Sequence, residues 1–365
     1  MTETSSKGSV NDHMSIMDWV YRVSAGIANA VLVCLGIGLL FQALANFTHW
    51  TALYQVGSIA QVLLGPAIGV GVAITLRANT LVAFSAMISS TIGANAAFLT
   101  HMATKGDATA TGYTLAHAAG SVVMSTGQPV SAVAAAIIAT LFGNYLTGKT
   151  PLDMFIVPFA ATFVGIVAGL GLAAVTTPLL VWLSGIIAKT MLVNPILGSA
   201  VVSVAWGLFL MTPASSAALS VAVMLSPLAA GAALIGTTAQ YVGFTAISFR
   251  ENDLGANIAQ GVITPKVQFG NWLENPALAA GPMLSAAICA PLATIFFHFQ
   301  TTAAMGGLGL CSFIAPVGLA SVSMKMFWVY IVFGIVGPAV ISFLVFKFEE
   351  SMKWVSQKQL HLTIV

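Results

Sequence analysis

Residues 243–276 read GFTAISFRENDLGANIAQGVITPKVQFGNWLENP, a polar stretch between two long apolar runs. It holds Arg250, Glu251, Asp253, Lys266 and Glu274, in a chain that is only 6% charged. Amides and a hydroxyl crowd the same segment: Asn252, Asn257, Gln260, Thr264, Gln268, Asn271 and Asn275. A charge at the centre of a bilayer costs about 2.5–3.5 kcal/mol on insertion scales. Such a cluster is therefore a solvated loop between spans or a segment built for function. Gly255, Gly261, Pro265 and Gly270 interrupt it, which argues against one straight helix. The functional reading is a broken or re-entrant segment lining a cavity, where irregular backbone is tolerated at membrane depth. Both readings stand at this point.

Working outward, the 365 residues are 58% hydrophobic. Soluble domains carry roughly 25% charged residues. The chain is thus read as an all-α integral membrane protein, with Gly and Ala runs suited to close helix packing in lipid. A net charge of +2 excludes nucleic acid as a partner. Cys34, Cys289 and Cys311 lie far apart in apolar runs, without metal spacing. No HExxH or GxSxG motif occurs, and neither a cofactor nor a metal is expected.

Residues 1–22 read as a polar tail and interfacial anchor, with Asp18, Trp19, Tyr21 and Arg22 before the first span and no signal-peptide core. Residues 23–346 read as one membrane domain, and 347–365 as a basic cytoplasmic tail. Apolar runs of ~20 residues give about ten spans. Within this count 54–75 is one span, 217–236 and 238–249 are separate, and 178–189 is interfacial or a short half-span. Residues 109–128 read as a buried span, and 301–323, interrupted by Pro316, as re-entrant. Lys and Arg flank both ends, which places both termini in the cytoplasm of a cell whose inner membrane holds the chain.

Three short echoes suggest an internal repeat, over about 54–190 and 194–346. Leu64-Gly65-Pro66 matches Leu225-Ser226-Pro227, and Gly93-Ala94-Asn95 matches Gly255-Ala256-Asn257. Phe142-Gly143-Asn144-Tyr145-Leu146 matches Phe269-Gly270-Asn271-Trp272-Leu273. Interrupted segments at matching positions point to a transporter site. The candidate solute-binding residues are therefore Glu251, Asn252, Asn257, Gln260, Thr264, Lys266, Gln268, Asn271 and Asn275, with Asn95, Gln128 and Asn144 from the first half. Amides offer donors and acceptors together, which suits a hydroxyl-bearing solute. Glu251 could accept two hydroxyl hydrogens or pair with Arg250. Trp272 could stack on a sugar ring or anchor at the interface.

The run from FRENDLGANIAQG through FGNWLENP to APLATIFF at 290–297 resembles the type-2 enzyme IIC-like membrane proteins of the sugar phosphotransferase system, the group that includes the perfringolysin regulator-like proteins. The residues carrying the likeness are Phe249, Arg250, Glu251, Asn252, Gly255, Gln260, Gly261, Asn275 and Pro276. The resemblance implies an all-helical fold, a homodimer, and a sugar or similar solute near re-entrant hairpins. The chain departs after Gly261, reading Val262-Ile263-Thr264-Pro265-Lys266 in place of a small Gly-Thr-Ser-type turn, and Lys266 could favour an anion. Phosphorylating transport would need a separate phospho-carrier protein, and the chain would count as an enzyme only with such components. A solute transporter, a ligand-sensing membrane regulator and a subunit of a phosphotransferase permease are the functions in view.

Overall fold

The computed structural model describes residues 16–99, 122–212 and 215–362. It is 82% helical, as an all-α membrane protein should be. The first helix, α1 (Ile16–Val31), continues through a π turn at Leu32–Gly36 into α2 (Ile37–Thr48). Next come α3 (Thr51–Val62), α4 (Leu64–Thr75) and α5 (Thr80–Gly93). Two short strands, β1 (Ala97–Leu99) and β2 (Val122–Met124), pair antiparallel with Phe98 opposite Val123. Then follow α6 (Pro129–Leu146), α7 (Asp153–Val193), α8 (Pro195–Met211), α9 (Ser216–Ala222) and α10 (Pro227–Ser248). The polar stretch forms α11 (Leu254–Ile258), a π turn, a 3-10 turn and α12 (Phe269–Glu274). The chain closes with α13 (Ala280–Pro291), α14 (Ala303–Gly306), α15 (Ile314–Val322), α16 (Met324–Tyr330) and α17 (Gly337–Ser351).

Helices α4 to α7 pack together, with α1 against α4, while α8, α10, α13 and α17 form a second bundle. The centre of that bundle is α10, buried along most of its 22 residues. A helix buried on all sides can sit this deep only if its neighbours carry small residues. At Gly236 of α10, a Cβ would lie 1.9 Å from the Ser203 carbonyl oxygen of α8. Gly26 of α1 and Gly71 of α4 meet in the same way, with a Cβ on Gly26 placed 2.5 Å from the Gly71 carbonyl oxygen.

Among the described residues, five helices are long and apolar enough to cross a membrane: Arg22–Thr48, Pro129–Leu146, Asp153–Val193, Pro276–Phe296 and Met324–Ser351. A sixth arises if α3 and α4, bent by 54° at Leu63, count as one span. Shorter apolar helices make up the rest.

Several expected boundaries move. The break placed near 237 lies instead at Met224, where φ is +50°. Ser226 and Pro227 start α10, the Ser226 hydroxyl accepting from the Ala229 N–H. Thr237 does not interrupt the helix, because its hydroxyl donates back to the Ala233 carbonyl at 2.8 Å. The segment at 178–189 belongs to α7, a 41-residue helix that runs through Pro178. At 1.5 Å per residue it is roughly 60 Å long. The buried span expected at 109–128 falls mostly outside the described residues; its end is β2 and the approach to α6.

The echoes do not share local structure at two of three places. Gly93 ends α5 and Asn95 follows in the left-handed region, φ +52°, whereas Gly255 and Asn257 lie within α11. Phe142 to Leu146 close an 18-residue helix, whereas Phe269 to Leu273 form a six-residue one. Both prolines of the first echo stand in the first turn of a helix, α4 and α10. Short Gly, Ala and Asn matches arise readily in so biased a composition, and a tripeptide does not fix backbone conformation.

The close approach at Gly236 predicts its own test. Gly236→Ala forces α8 and α10 apart and should destabilise the protein by about 1–3 kcal/mol, the cost of overpacking a core. Gly171→Ala, whose Cβ would meet nothing within 4 Å, should leave the thermal midpoint in detergent near that of the parent. Equal midpoints for the two variants would contradict the packing described.

Candidate functional site

Two broken hairpins meet in the second half. The first follows α10. Phe249 to Asn252 turn the chain, and Asp253 caps α11 by accepting from the Ala256 N–H at 2.7 Å. The π turn Ala259–Ile263 gives way to extended backbone at Thr264 and a 3-10 turn at Pro265–Gln268. After α12, Asn275 accepts from the Ala277 N–H at 3.2 Å and the chain enters α13 through Pro276–Ala279. The breaks fall beside Gly261, Pro265 and Gly270, as the sequence leads one to expect. The second hairpin runs through α14, the 3-10 turn Cys311–Phe313 and α15. It is held by hydroxyls of α9: Ser216 donates to the Gly307 carbonyl at 2.7 Å and Ser220 to the Ala303 carbonyl at 2.6 Å.

The tips enclose a cavity of about 290 Å³. Thr264 and Lys266 line it from the first hairpin, and Gly307, Leu308 and Cys311 from the second. Asn29 of α1, Ser215 and Ser216 at the start of α9, and Tyr241 of α10 complete its polar wall. The Tyr241 hydroxyl donates to the Ile263 carbonyl at 3.2 Å, tying α10 to the hairpin tip. Gly309, with φ +61°, lies flat on the Tyr241 ring, where a Cβ would come within 2.5 Å. An adjoining space of about 250 Å³ shares Ala25, Ala28, Thr264 and Lys266, and adds Ser24 and Thr212.

Most of the expected amides stand behind this wall. Gln260 is fully buried; its Nε2 donates to the Ser248 hydroxyl at 2.7 Å and to Asn257 Oδ1 at 2.9 Å. Its Oε1 accepts from Gln268 Nε2 at 2.8 Å, and Gln268 Oε1 accepts from Asn271 Nδ2 at 2.8 Å. Asn257 Nδ2 donates to the carbonyls of Phe249 and Asn252. Asn252 Nδ2 donates to the Ser248 and Leu360 carbonyls. Asn275 reaches the carbonyl of Trp354. Glu251 stands on the turn before α11, where its backbone carbonyl lies 2.9 Å from His361 Nδ1. No ion pair joins it to Arg250; among the described residues the one salt bridge is Lys347–Glu350.

The first-half residues are placed apart. Asn95 and Gln128 line a different cavity of about 240 Å³, with Gly127, Thr177 and Met224. Gln128 accepts from the Ser131 N–H and donates to the Thr176 hydroxyl at 2.9 Å, so it starts α6 and ties it to α7. Asn144 sits near the end of α6 and lines neither cavity. Trp272 packs its ring on Phe269, 5.8 Å between centroids. The structure thus joins Thr264 and Lys266 with residues the sequence reading missed: Asn29, Ser215, Ser216 and Tyr241. Asn29 did carry a signal, as one of the few amides, with Gln42, inside the first apolar span. Among the described residues, no group of three His, Cys, Asp or Glu side chains comes together to hold a metal ion.

The amide chain has a consequence for stability. Gln260→Ala would leave Asn257 Oδ1 without its donor and Gln268 Nε2 with only the Leu360 carbonyl, and a buried polar group left without a partner costs about 1–3 kcal/mol. The thermal midpoint should fall accordingly, and Gln260→Glu, which keeps the acceptor for Gln268 but buries a charge and sets a carboxylate oxygen against Asn257 Oδ1, should lower it at least as much. Unaltered midpoints in both variants would show that the amides are not holding the hairpin.

A family model described as the phosphotransferase system EIIC matches residues 21–362, nearly the whole chain. No curated protein matches the chain. The length of that match, over the helices and both hairpins just described, settles the family: the chain belongs to the enzyme IIC family of the phosphotransferase system, the multi-pass membrane components of sugar transport.

Proposed function

We propose that this chain moves a small hydroxylated solute, a sugar or a related anionic compound, through the cavity between its two broken hairpins. The observation that carries the reading is the meeting of the hairpin tips. Thr264 and Lys266 face Gly307 to Cys311 across a cavity that also receives Asn29, Ser215 and Tyr241. Its volume of about 290 Å³ lies at the lower end of small-molecule sites, roughly 300–1,000 Å³. Hydroxyl and amide groups can give and take hydrogen bonds with a polyol, and Lys266 supplies a cation for an acidic substituent. The buried amides Gln260, Gln268 and Asn252 act from behind, by holding the hairpin that carries Thr264. In this reading Asn95 and Gln128 serve a second cavity on the first half.

The family adds partners to the proposal. A separate phospho-carrier protein would modify the solute, and two copies of the chain would pair. The shorter apolar helices would complete about ten passages, with both termini in the cytoplasm and the chain in the inner membrane. Reporter fusions at Lys7 and Lys358 check this arrangement: both should give a cytoplasmic signal, and an external signal at either removes the even count.

Uptake of labelled sugars and sugar acids into proteoliposomes, with and without purified phospho-carrier, tests the function. Asn29→Ala and Thr264→Ala should each weaken solute binding by one hydrogen bond, about 0.5–1.5 kcal/mol or roughly threefold to tenfold; the thermal midpoint should hold in Asn29→Ala and fall somewhat in Thr264→Ala, which also loses the cap on the Lys266 N–H. Lys266→Gln should weaken an anionic solute by about tenfold or more, since charge-assisted bonds are roughly twice as strong as neutral ones. Full binding in all three variants would move the site elsewhere. Solute binding by the parent without uptake under any condition would make the chain a regulator.

A further inference from the structure

Residues 352–362, after α17, do not trail into solvent. Lys353, at φ +61°, reverses the chain, and a 3-10 turn at Gln357–Leu360 lays it back against the first hairpin. The return is driven by burial. Leu360 is fully buried, and with Val355 it joins a cluster containing Phe244, Ile247, Leu278 and Phe346. A capping box steadies the turn, with Gln359 Oε1 accepting from the Ser356 N–H at 2.9 Å.

What this segment touches gives it a role beyond packing. Its backbone meets both sides of the hairpin base. On the side leaving α10, Asn252 Nδ2 donates to the Leu360 carbonyl at 3.0 Å, and Asn252 Oδ1 accepts from the Leu362 N–H at 2.8 Å. On the side returning to α13, Gln268 Nε2 donates to the same Leu360 carbonyl at 3.1 Å, and Asn271 Nδ2 to the His361 carbonyl at 3.3 Å. Asn275 Nδ2 donates to the Trp354 carbonyl at 3.0 Å. One carbonyl, that of Leu360, therefore joins the two sides of the hairpin. Thr264 and Lys266 lie between those attachment points along the chain, and Gln268 passes the restraint on through Gln260. A hairpin clamped at its base on both sides has a fixed tip; freed at the base, it can swing.

We infer that residues 354–362 form a positioning strap that sets where Thr264 and Lys266 stand in the cavity wall, and that loosening the strap moves that wall. The consequence for transport rests on the cavity being the solute site, but the movement itself does not. The test therefore uses no solute. In the full chain, Cys311→Ser removes the cysteine that lines the cavity, and Thr264→Cys installs a reporter. The native Cys34 and Cys289, both buried, stay as sentinels of general unfolding. A membrane-impermeant maleimide reads the three positions, with mass spectrometry resolving the labelled peptides. Leu360→Ala removes the strap's buried anchor, and deletion of residues 354–365 removes the strap altogether. Either change should alter the Thr264→Cys labelling rate about fivefold or more, as expected when a local equilibrium shifts without global opening, with Cys34 and Cys289 still unreactive. If the deletion does not fold, Leu360→Ala decides alone. An unchanged rate in Leu360→Ala overturns the inference. So does a rate that rises only together with Cys34 and Cys289, since the segment would then be a plain part of the core. Loss of solute binding with an unaltered labelling rate would leave the proposed site standing and remove the strap.

Discussion

The rest of the structure depends on one constraint: wherever the backbone leaves a helix inside an apolar protein, its freed N–H and C=O groups must find partners within the protein. The first hairpin breaks between α10 and α13 and meets the requirement with side-chain amides. Asn252 and Asn257 take the carbonyls released at Ser248, Phe249 and Asn252 itself, and Asp253, Thr264 and Asn275 cap the short helices that follow. Gln260 and Gln268 then bond to each other, linking the two sides. An unmet buried group costs about 1–3 kcal/mol, whereas a bond made contributes about 0.5–1.5. The density of amides in this stretch is thus first a condition for breaking the helix there.

The second hairpin meets the same constraint with smaller groups. Hydroxyls on α9 reach its carbonyls: Ser216 to Gly307 and Ser220 to Ala303. Short side chains work because the backbones are close. A Cβ on Gly307 would stand 2.3 Å from the Ser216 carbonyl oxygen. Glycine brings hairpin and helix together, and serine or threonine then spans the remaining gap. The same pairing recurs where Ser203 of α8 donates to the Ala286 carbonyl at 3.0 Å across the bundle that packs α10.

How much of this the sequence disclosed follows from which signals are local. The helix class and the break points at Gly261, Pro265 and Gly270 were legible, since glycine and proline act on their own residue and its neighbour. The end of α9 was not, because Thr237 looks polar in sequence yet hides its hydroxyl on its own helix. Continuity of α7 through Pro178 was hidden too, since a proline marks a probable boundary and not a certain one. The amide cluster was visible, but its direction was not. An asparagine that can face a sugar can equally face a carbonyl, and Asn252 does the latter. The folding back of the last residues depends on Leu360 finding a pocket made by α10, α13 and α17, which no local pattern reports.

The cavity draws on a part of the chain that precedes both halves of the apparent repeat. Asn95 and Gln128 border a separate cavity, and Asn144 stands near the end of α6. The residue this earlier part contributes is Asn29, from α1, which precedes every one of the echoes. It reaches the hairpin tips because α1 packs against α4 by the Gly26 and Gly71 contact, while Ala25, Ala28 and Asn29 alongside border the tips. The cavity is therefore set by where a long helix passes two hairpin tips. Its polar groups come from separated parts of the chain, and Asn29 stands alone among apolar neighbours in sequence. A single polar residue in an apolar run carries little weight when read alone. It acquires meaning only when packing brings Asn29, Ser215, Tyr241 and Thr264 to one cavity.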